Sequence, residues 1–489
     1  MQNKISFYII LAVEVLTVIL TGAGIFPREA VLVMTGLMIF YFIFSKVEDS
    51  LILFIISIPL FIALPISENF DSMANWRILL AILFLVWFFK KFSLKELIKA
   101  KIVSPIVQSM RLKSALVIFV TLFVVIGALS LFVATDIVVG IKKILFLINI
   151  FLLFIVVKDI ARDERMQSKI IKAGTLAGII SLIVGYSQII FVFIKPLYTF
   201  WQWWAKNVIS VFYGTNLAEL LAKSNTWFSY YPDSPPTLRM FSVFPDSHSF
   251  ALFAIIGLIF IVYLLKNKKY LWSVVILSLL ALIFSGSRAA WLSAMIPFLA
   301  AIFLLIFKKQ KVFRPFVVML IIFALAFPVS SLIMSKSYQG GADSTLAFKR
   351  AKSVADIEEL SVKSRIGIWK ASLQSILKYP ILGVGIGNYP MVLGEEISAG
   401  KKGASAHNLY LDVASEMGLL GLIVLALIFF DIFKTCWKKF RENGYALAFL
   451  FFFVWILIYN LFDVVLLNDK VLLLFMVVLA MLYSLENHE

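Results

Sequence analysis

Apolar runs of spanning length follow one another along almost the whole chain, broken only by short charged clusters and two longer polar stretches. Crossing ~30 Å of hydrocarbon takes roughly 20 apolar helical residues, and lipid leaves helices or closed barrels as the only ways to satisfy the backbone. Such runs can be drawn at 5–25, 29–45, 50–66, 73–89, 114–134, 137–157, 170–194, 248–265, 271–287, 289–307, 315–334, 416–433, 446–466 and 468–485. The expectation is an all-α, polytopic integral membrane protein with about fourteen transmembrane helices.

Of the 489 residues 62% are hydrophobic and 15% charged, which excludes a water-soluble core of this size. The net charge of +17 raises nucleic acid as a partner, but the basic residues sit in clusters between apolar runs, as topology signals and anionic-lipid contacts do. Membrane lipids, and no nucleic acid, are the expected partners. The clusters Lys90 to Lys113, Lys158 to Lys172, Lys266 to Lys269, Lys308 to Arg314 and Lys434 to Arg441 all fall on one side. Placing that side in the cytoplasm puts both termini inside and two long segments, 195–247 and 335–415, outside. The chain then divides into an N-terminal transmembrane bundle (1–194), a Trp- and Pro-rich extracytoplasmic segment (195–247), central spans (248–334), a large, partly helical extracytoplasmic loop (335–415) and C-terminal spans (416–489). The first apolar run lacks a small-residue cleavage site and reads as a retained span. The single cysteine, Cys436, falls in an expected cytoplasmic turn, so no intramolecular disulfide orders the outer segments.

The first outer segment opens with Tyr198, Phe200, Trp201, Trp203 and Trp204, which read as an interfacial aromatic belt or as a platform on which sugars stack. Residues 93–113 carry apolar positions among lysines, as a helix lying on the inner leaflet would. In the second outer segment Ile366, Trp369, Leu373, Ile376 and Leu377 recur at helical spacing, so an amphipathic helix bearing Arg365 should end before Pro380. Gly383, Gly385 and Gly387 then permit a tight backbone path, and His407 and Asn408 lead into the next span.

Ser287-Arg288, Arg365-Ile-Gly-Ile-Trp369, Pro380-Ile-Leu-Gly-Val-Gly-Ile-Gly-Asn388 and the run from Ala406-His-Asn to Gly421, in this order, resemble the O-antigen ligase and O-antigen polymerase superfamily. The motif-bearing likeness covers about 280–430. It implies a GT-C-like bacterial membrane glycosyltransferase that takes a glycan from an undecaprenyl-diphosphate carrier and moves it to an acceptor hydroxyl, on the extracytoplasmic side of the cytoplasmic membrane, with no metal and no cofactor. It also implies that Arg288 and Arg365 hold the diphosphate and that His407 engages the acceptor, which is a glycolipid, another glycan or a further hydroxyl-bearing molecule.

That chemistry suits the residues. A departing lipid diphosphate leaves negative charge on phosphate oxygens, and arginines stay charged and grip phosphate through paired hydrogen bonds. Counted by helix rise from the cytoplasmic lysines, Arg288 lies about 28 Å up, His248 about 27 Å and Lys142 and Lys143 about 22 to 24 Å, all near the outer edge of the hydrocarbon. The two lysines either snorkel to headgroups or contact phosphate. Arg239 and His248 are further candidates for substrate binding, as are Asn408 and Glu416, which share one face of the helix after His407 with Asp412 and Ser415. His407 either accepts the acceptor's proton or caps the helix. No His/Asp/Glu cluster with metal-ligand spacing stands out. The rival class is a flippase or other transporter of lipid-linked glycans. It would need ionisable groups spread through mid-membrane, and these are few, Glu14 being the clearest, while the polar residues gather at one face. Ligase and polymerase are not separated.

Overall fold

The computed structural model describes residues 2–67, 71–92, 114–224, 226–231, 234–335, 349, 360–393 and 405–485. The inner-leaflet helix expected at 93–113, most of the loop from 336 to 359 and His488 lie outside them. Among the described residues eighteen α-helices follow in chain order. They are α1 (Gln2–Gly22), α2 (Ala30–Phe44), α3 (Val47–Ser57), α4 (Trp76–Lys91), α5 (Ala115–Ser130) and α6 (Ile137–Ile160), then α7 (Glu164–Ile194), α8 (Leu197–Trp204), α9 (Ser210–Tyr213), α10 (Thr215–Ala222), α11 (Ser247–Leu264) and α12 (Trp272–Phe284), and finally α13 (Arg288–Ile306), α14 (Arg314–Ser335), α15 (Leu360–Lys378), α16 (Leu409–Lys439), α17 (Gly444–Tyr459) and α18 (Asp469–Ser484).

Each of the apolar runs read from the sequence overlaps one of these helices, though the runs at 50–66 and 446–466 extend past the helix ends at Ser57 and Tyr459. Among the described residues eight helices are long and apolar enough to cross a membrane, by length and composition. Three more, at Ala30–Phe44, Lys269–Phe284 and Gly444–Tyr459, are apolar but shorter. The protein is therefore polytopic and mostly helical. The run at 50–66 is shortened because Pro59 ends α3 in a single 3-10 turn and the chain leaves the helix at Phe61. It then forms a small antiparallel hairpin, β1 (Ala63–Leu64) with β2 (Met73–Ala74). A second hairpin pairs β3 (Phe228–Tyr231) with β4 (Ser234–Leu238), so two small β elements qualify the all-α expectation.

Several spans begin on a side chain that accepts from the otherwise orphaned amides of the first turn. Asp136 caps α6, Asp246 caps α11, Ser287 caps α13, Asn408 caps α16 and Asn443 caps α17. Of these, α11 is the axis of the fold. It is buried over most of its length between α7, α12, α17 and α18, and a Cβ at Gly174 of α7 would overlap the Phe260 ring, so small residues set that approach. Its first turn, with His248, opens at the end of the bundle where the non-helical segments gather.

Candidate functional site

At the mouth of α11 three segments meet: the start of α11, the turn before α13 and the loop after α17. The His248 Nδ1 lies 3.0 Å from the Ser287 hydroxyl, which in turn is 2.9 Å from the Tyr459 hydroxyl. Tyr459 also donates to the His248 carbonyl at 3.2 Å. Asp463, from the loop after α17, stands between two imidazoles. Its Oδ2 is 3.5 Å from His248 Nδ1 and its Oδ1 is 3.7 Å from His407 Nδ1, ion-pair separations rather than hydrogen bonds. Arg365, on α15, acts electrostatically on Asp463, His248 and Tyr459, and Arg239 acts on His248. Burial alone would raise the Asp463 carboxyl, but His407, His248 and Arg365 around it hold it well below the usual carboxylate range. Asp246 is buried, and desolvation pushes it up to about 6 although it accepts from the Ser249 amide.

Local structure explains why these groups converge. Arg239 follows β4, where its amide donates to the Trp227 carbonyl and its Nε donates to the Ser229 hydroxyl at 2.9 Å. Its stem lies against Gly286, whose φ of 63° turns the chain sharply ahead of Ser287 and Arg288. Arg288 is the first residue of α13, half-buried beside this turn. Trp369 fixes α15 by donating from its indole to the Ala406 carbonyl at 3.0 Å, which brings Arg365 and His407 to the same end of the bundle. His407 itself has φ 46°, a left-handed conformation that costs a residue with a Cβ of order 1 kcal/mol or more. Its ring is 41% exposed, and its Nδ1 is buried without a hydrogen bond, as are both polar atoms of the Asn460 amide. The Asn460 amide, with both polar atoms buried and unbonded beside a charged cluster, is available to a ligand.

The remaining sequence candidates form a second cluster. Lys143, on α6, is paired with Glu416 at 2.5 Å and lies 3.9 Å from Asp412, both on α16. Glu416 also accepts from the Tyr389 amide at 3.3 Å, and Asp412 accepts from the Ala406 amide at 3.0 Å. Lys143 is thus matched by two carboxylates, while Lys142 beside it is exposed. Asn408 spends its amide oxygen on the Tyr410 and Leu411 amides as the cap of α16. The helix is kinked at Gly418, φ 66°, and the freed carbonyls of Ser415 and Glu416 accept from the amides of Val384 and Gly385. A Cβ at Gly418 would overlap the Ile381 carbonyl and one at Gly383 the backbone of Ser415 and Glu416, so glycine is required at both. The glycine-rich run is accordingly a backbone clasp on the kink.

Sequence reasoning missed Asp463 and Tyr459, because both were absorbed into the apolar run at 446–466. A carboxylate inside an apolar run was the available signal. Among the described residues no group of three or more His, Cys, Asp or Glu is arranged to hold a metal ion.

A bundle of apolar helices with a recessed cluster of imidazoles, arginines and carboxylates at one end defines a multi-pass membrane protein with a polar site at its loop end. Residues 273–426 match the family model described as O-antigen ligase, so the chain carries a domain of that family, and this stretch holds Ser287, Arg288, Arg365, the glycine clasp, His407 and Glu416. No curated protein matches the chain.

Proposed function

We propose that this protein transfers an oligosaccharide from an undecaprenyl-diphosphate carrier to an acceptor hydroxyl, as a ligase or polymerase, at the extracytoplasmic face of the bacterial cytoplasmic membrane and without a metal. The observation that carries the reading is the His407–Asp463 pair set beside Arg365 at the mouth of α11. With Asp463 facing Nδ1, the favoured tautomer carries its proton on Nδ1 and leaves Nε2 to accept one. Nε2 takes the acceptor hydroxyl's proton as its oxygen attacks the anomeric carbon, the bond from that carbon to the diphosphate oxygen breaks, and the carrier leaves as the diphosphate. The guanidinium groups of Arg288 and Arg365, with Arg239 near by, meet the charge that grows on the leaving oxygens.

A groove between α5, α6, α16 and α18, lined by Val120, Phe123, Leu147, Phe151, Met417 and Phe475, runs down from Lys143 and Glu416 and offers an apolar path for a prenyl chain. The test is reconstitution in liposomes with lipid-linked oligosaccharide and a hydroxyl acceptor, following release of the diphosphate carrier. Carrier release that depends on His407 and on the acceptor is expected. Movement of the intact lipid-linked glycan between leaflets with no release would replace this reading with a transporter.

A further inference from the structure

We infer that the cleft between α8, the π-helical turn Ala205–Ile209 that follows it, and α10 is a saccharide subsite, holding sugar units away from the bond that reacts. The inference rests on the glycan-transfer reading for what the sugar is part of. The cleft has a volume of about 460 Å³ and is lined in part by Gln202, Trp203, Lys206, Asn207, Thr215 and Glu219. Trp203 is 38% exposed, with one ring face parallel to Phe191 at 6.0 Å, whereas Phe200 and Trp204 on the same helix are buried. Polar groups with spare capacity surround it. Lys206 and Glu219 are exposed and form no ion pair among the described residues. Asn207 donates from Nδ2 to the Trp203 carbonyl and Gln202 from Nε2 to the Ala222 carbonyl, which leaves an acceptor oxygen on each amide.

A pyranose presents an apolar C–H face ringed by hydroxyls that both donate and accept, and an indole flanked by a carboxylate, an ammonium and two amides matches both features. The π-helical turn widens the helix at this point, a distortion frequent at functional sites. A lipid-facing belt would turn its indoles outward. Here Trp201 donates inward to the Leu221 carbonyl at 3.0 Å and packs edge-on against Phe228 at 5.3 Å. Phe228 precedes Ser229, the partner of Arg239, so the cleft and the reacting site are parts of one packed cap.

The test uses the full-length protein in phosphatidylglycerol nanodiscs with maltohexaose and chitohexaose as probes, read by saturation-transfer NMR. Transfer to sugar protons is expected from at least one probe, weakened about tenfold by Trp203→Ala and several-fold by Glu219→Ala at the exposed lip, with His407→Ala binding as wild type does. Displacement of the probe by added lipid-linked oligosaccharide assigns the subsite to the donor glycan, and persistence assigns it to the acceptor glycan. No transfer from either probe, or equal transfer in wild type and both variants, overturns the proposal. So does a Trp203→Ala defect confined to lipid binding. Binding is read without turnover, so a chain that binds sugar but releases no carrier removes the glycosyl-transfer reading and leaves the subsite standing.

Discussion

Asp463 Oδ1 lies 3.7 Å from His407 Nδ1, across two loops that join different pairs of helices. Replacing the carboxylate by an amide keeps the shape and removes the charge that fixes the ring. Asp463→Asn is expected to slow transfer by about 10²-fold or more, while His407→Gln, which still hydrogen-bonds but takes up no proton, falls by about 10² to 10⁴ with donor binding nearly intact. Single-turnover kinetics with lipid-linked donor decide it. His407→Gln at wild-type rate reduces the residue to an orienting or capping role.

The same carboxylate makes a statement about pH. Its folded-state pKa is depressed, so its contribution to stability is fully present above the unfolded value of about 4 and is lost as pH falls through the folded value. The stability gap between wild type and Asp463→Asn should hold constant from about pH 5 to 8 and narrow below about pH 4. Thermal unfolding in detergent across that range measures it, and a gap that closes near neutrality would contradict the arrangement of cations around the carboxylate.

Arg365→Lys and Arg288→Lys should each fail to restore activity, because an ammonium places a point charge where a planar fork is needed. Carrier release in membranes is the readout, and turnover at the wild-type rate in either variant sinks the assignment.

Transfer should survive EDTA, since fixed guanidinium groups supply the positive charge the leaving group requires. Loss of turnover that Mg²⁺ or Mn²⁺ restores would refute this.

Gly418→Ala tests the clasp. The side chain meets the Ile381 carbonyl and the residue must hold φ near 66°, so a cost of about 1 to 3 kcal/mol is expected for the backbone alone. Unfolding midpoints measure it, and an unchanged midpoint would mean that the kink relaxes freely.

The helices were legible because burial in lipid demands long apolar runs, and the cap residues Asp246 and Ser287 sit where two of those runs begin, whereas α16 starts at Asn408, ahead of its run at 416. The hairpins escaped because they are short. The site was legible only in part. His407 and Arg365 stand out by motif and Arg288 by motif and depth, whereas Asp463 lies in a stretch whose average hydropathy hides it. The pairing of Lys143 with Glu416 joins residues 273 apart in the chain, which no local pattern announces.

The buried ammonium of Lys470 donates to the carbonyls of Pro59 at 3.1 Å and Phe61 at 2.8 Å, and Trp76 donates to the neighbouring Asp469. These partners are 411 and 409 residues apart along the chain for the two carbonyl bonds. At about 5 to 20 residues per second the turn after α3 must wait roughly 20 to 80 s of synthesis before its partner leaves the ribosome. A chain cut short before α18 lacks both Asp469 and Lys470, so the turn after α3 closes on its partners only once α18 has been made.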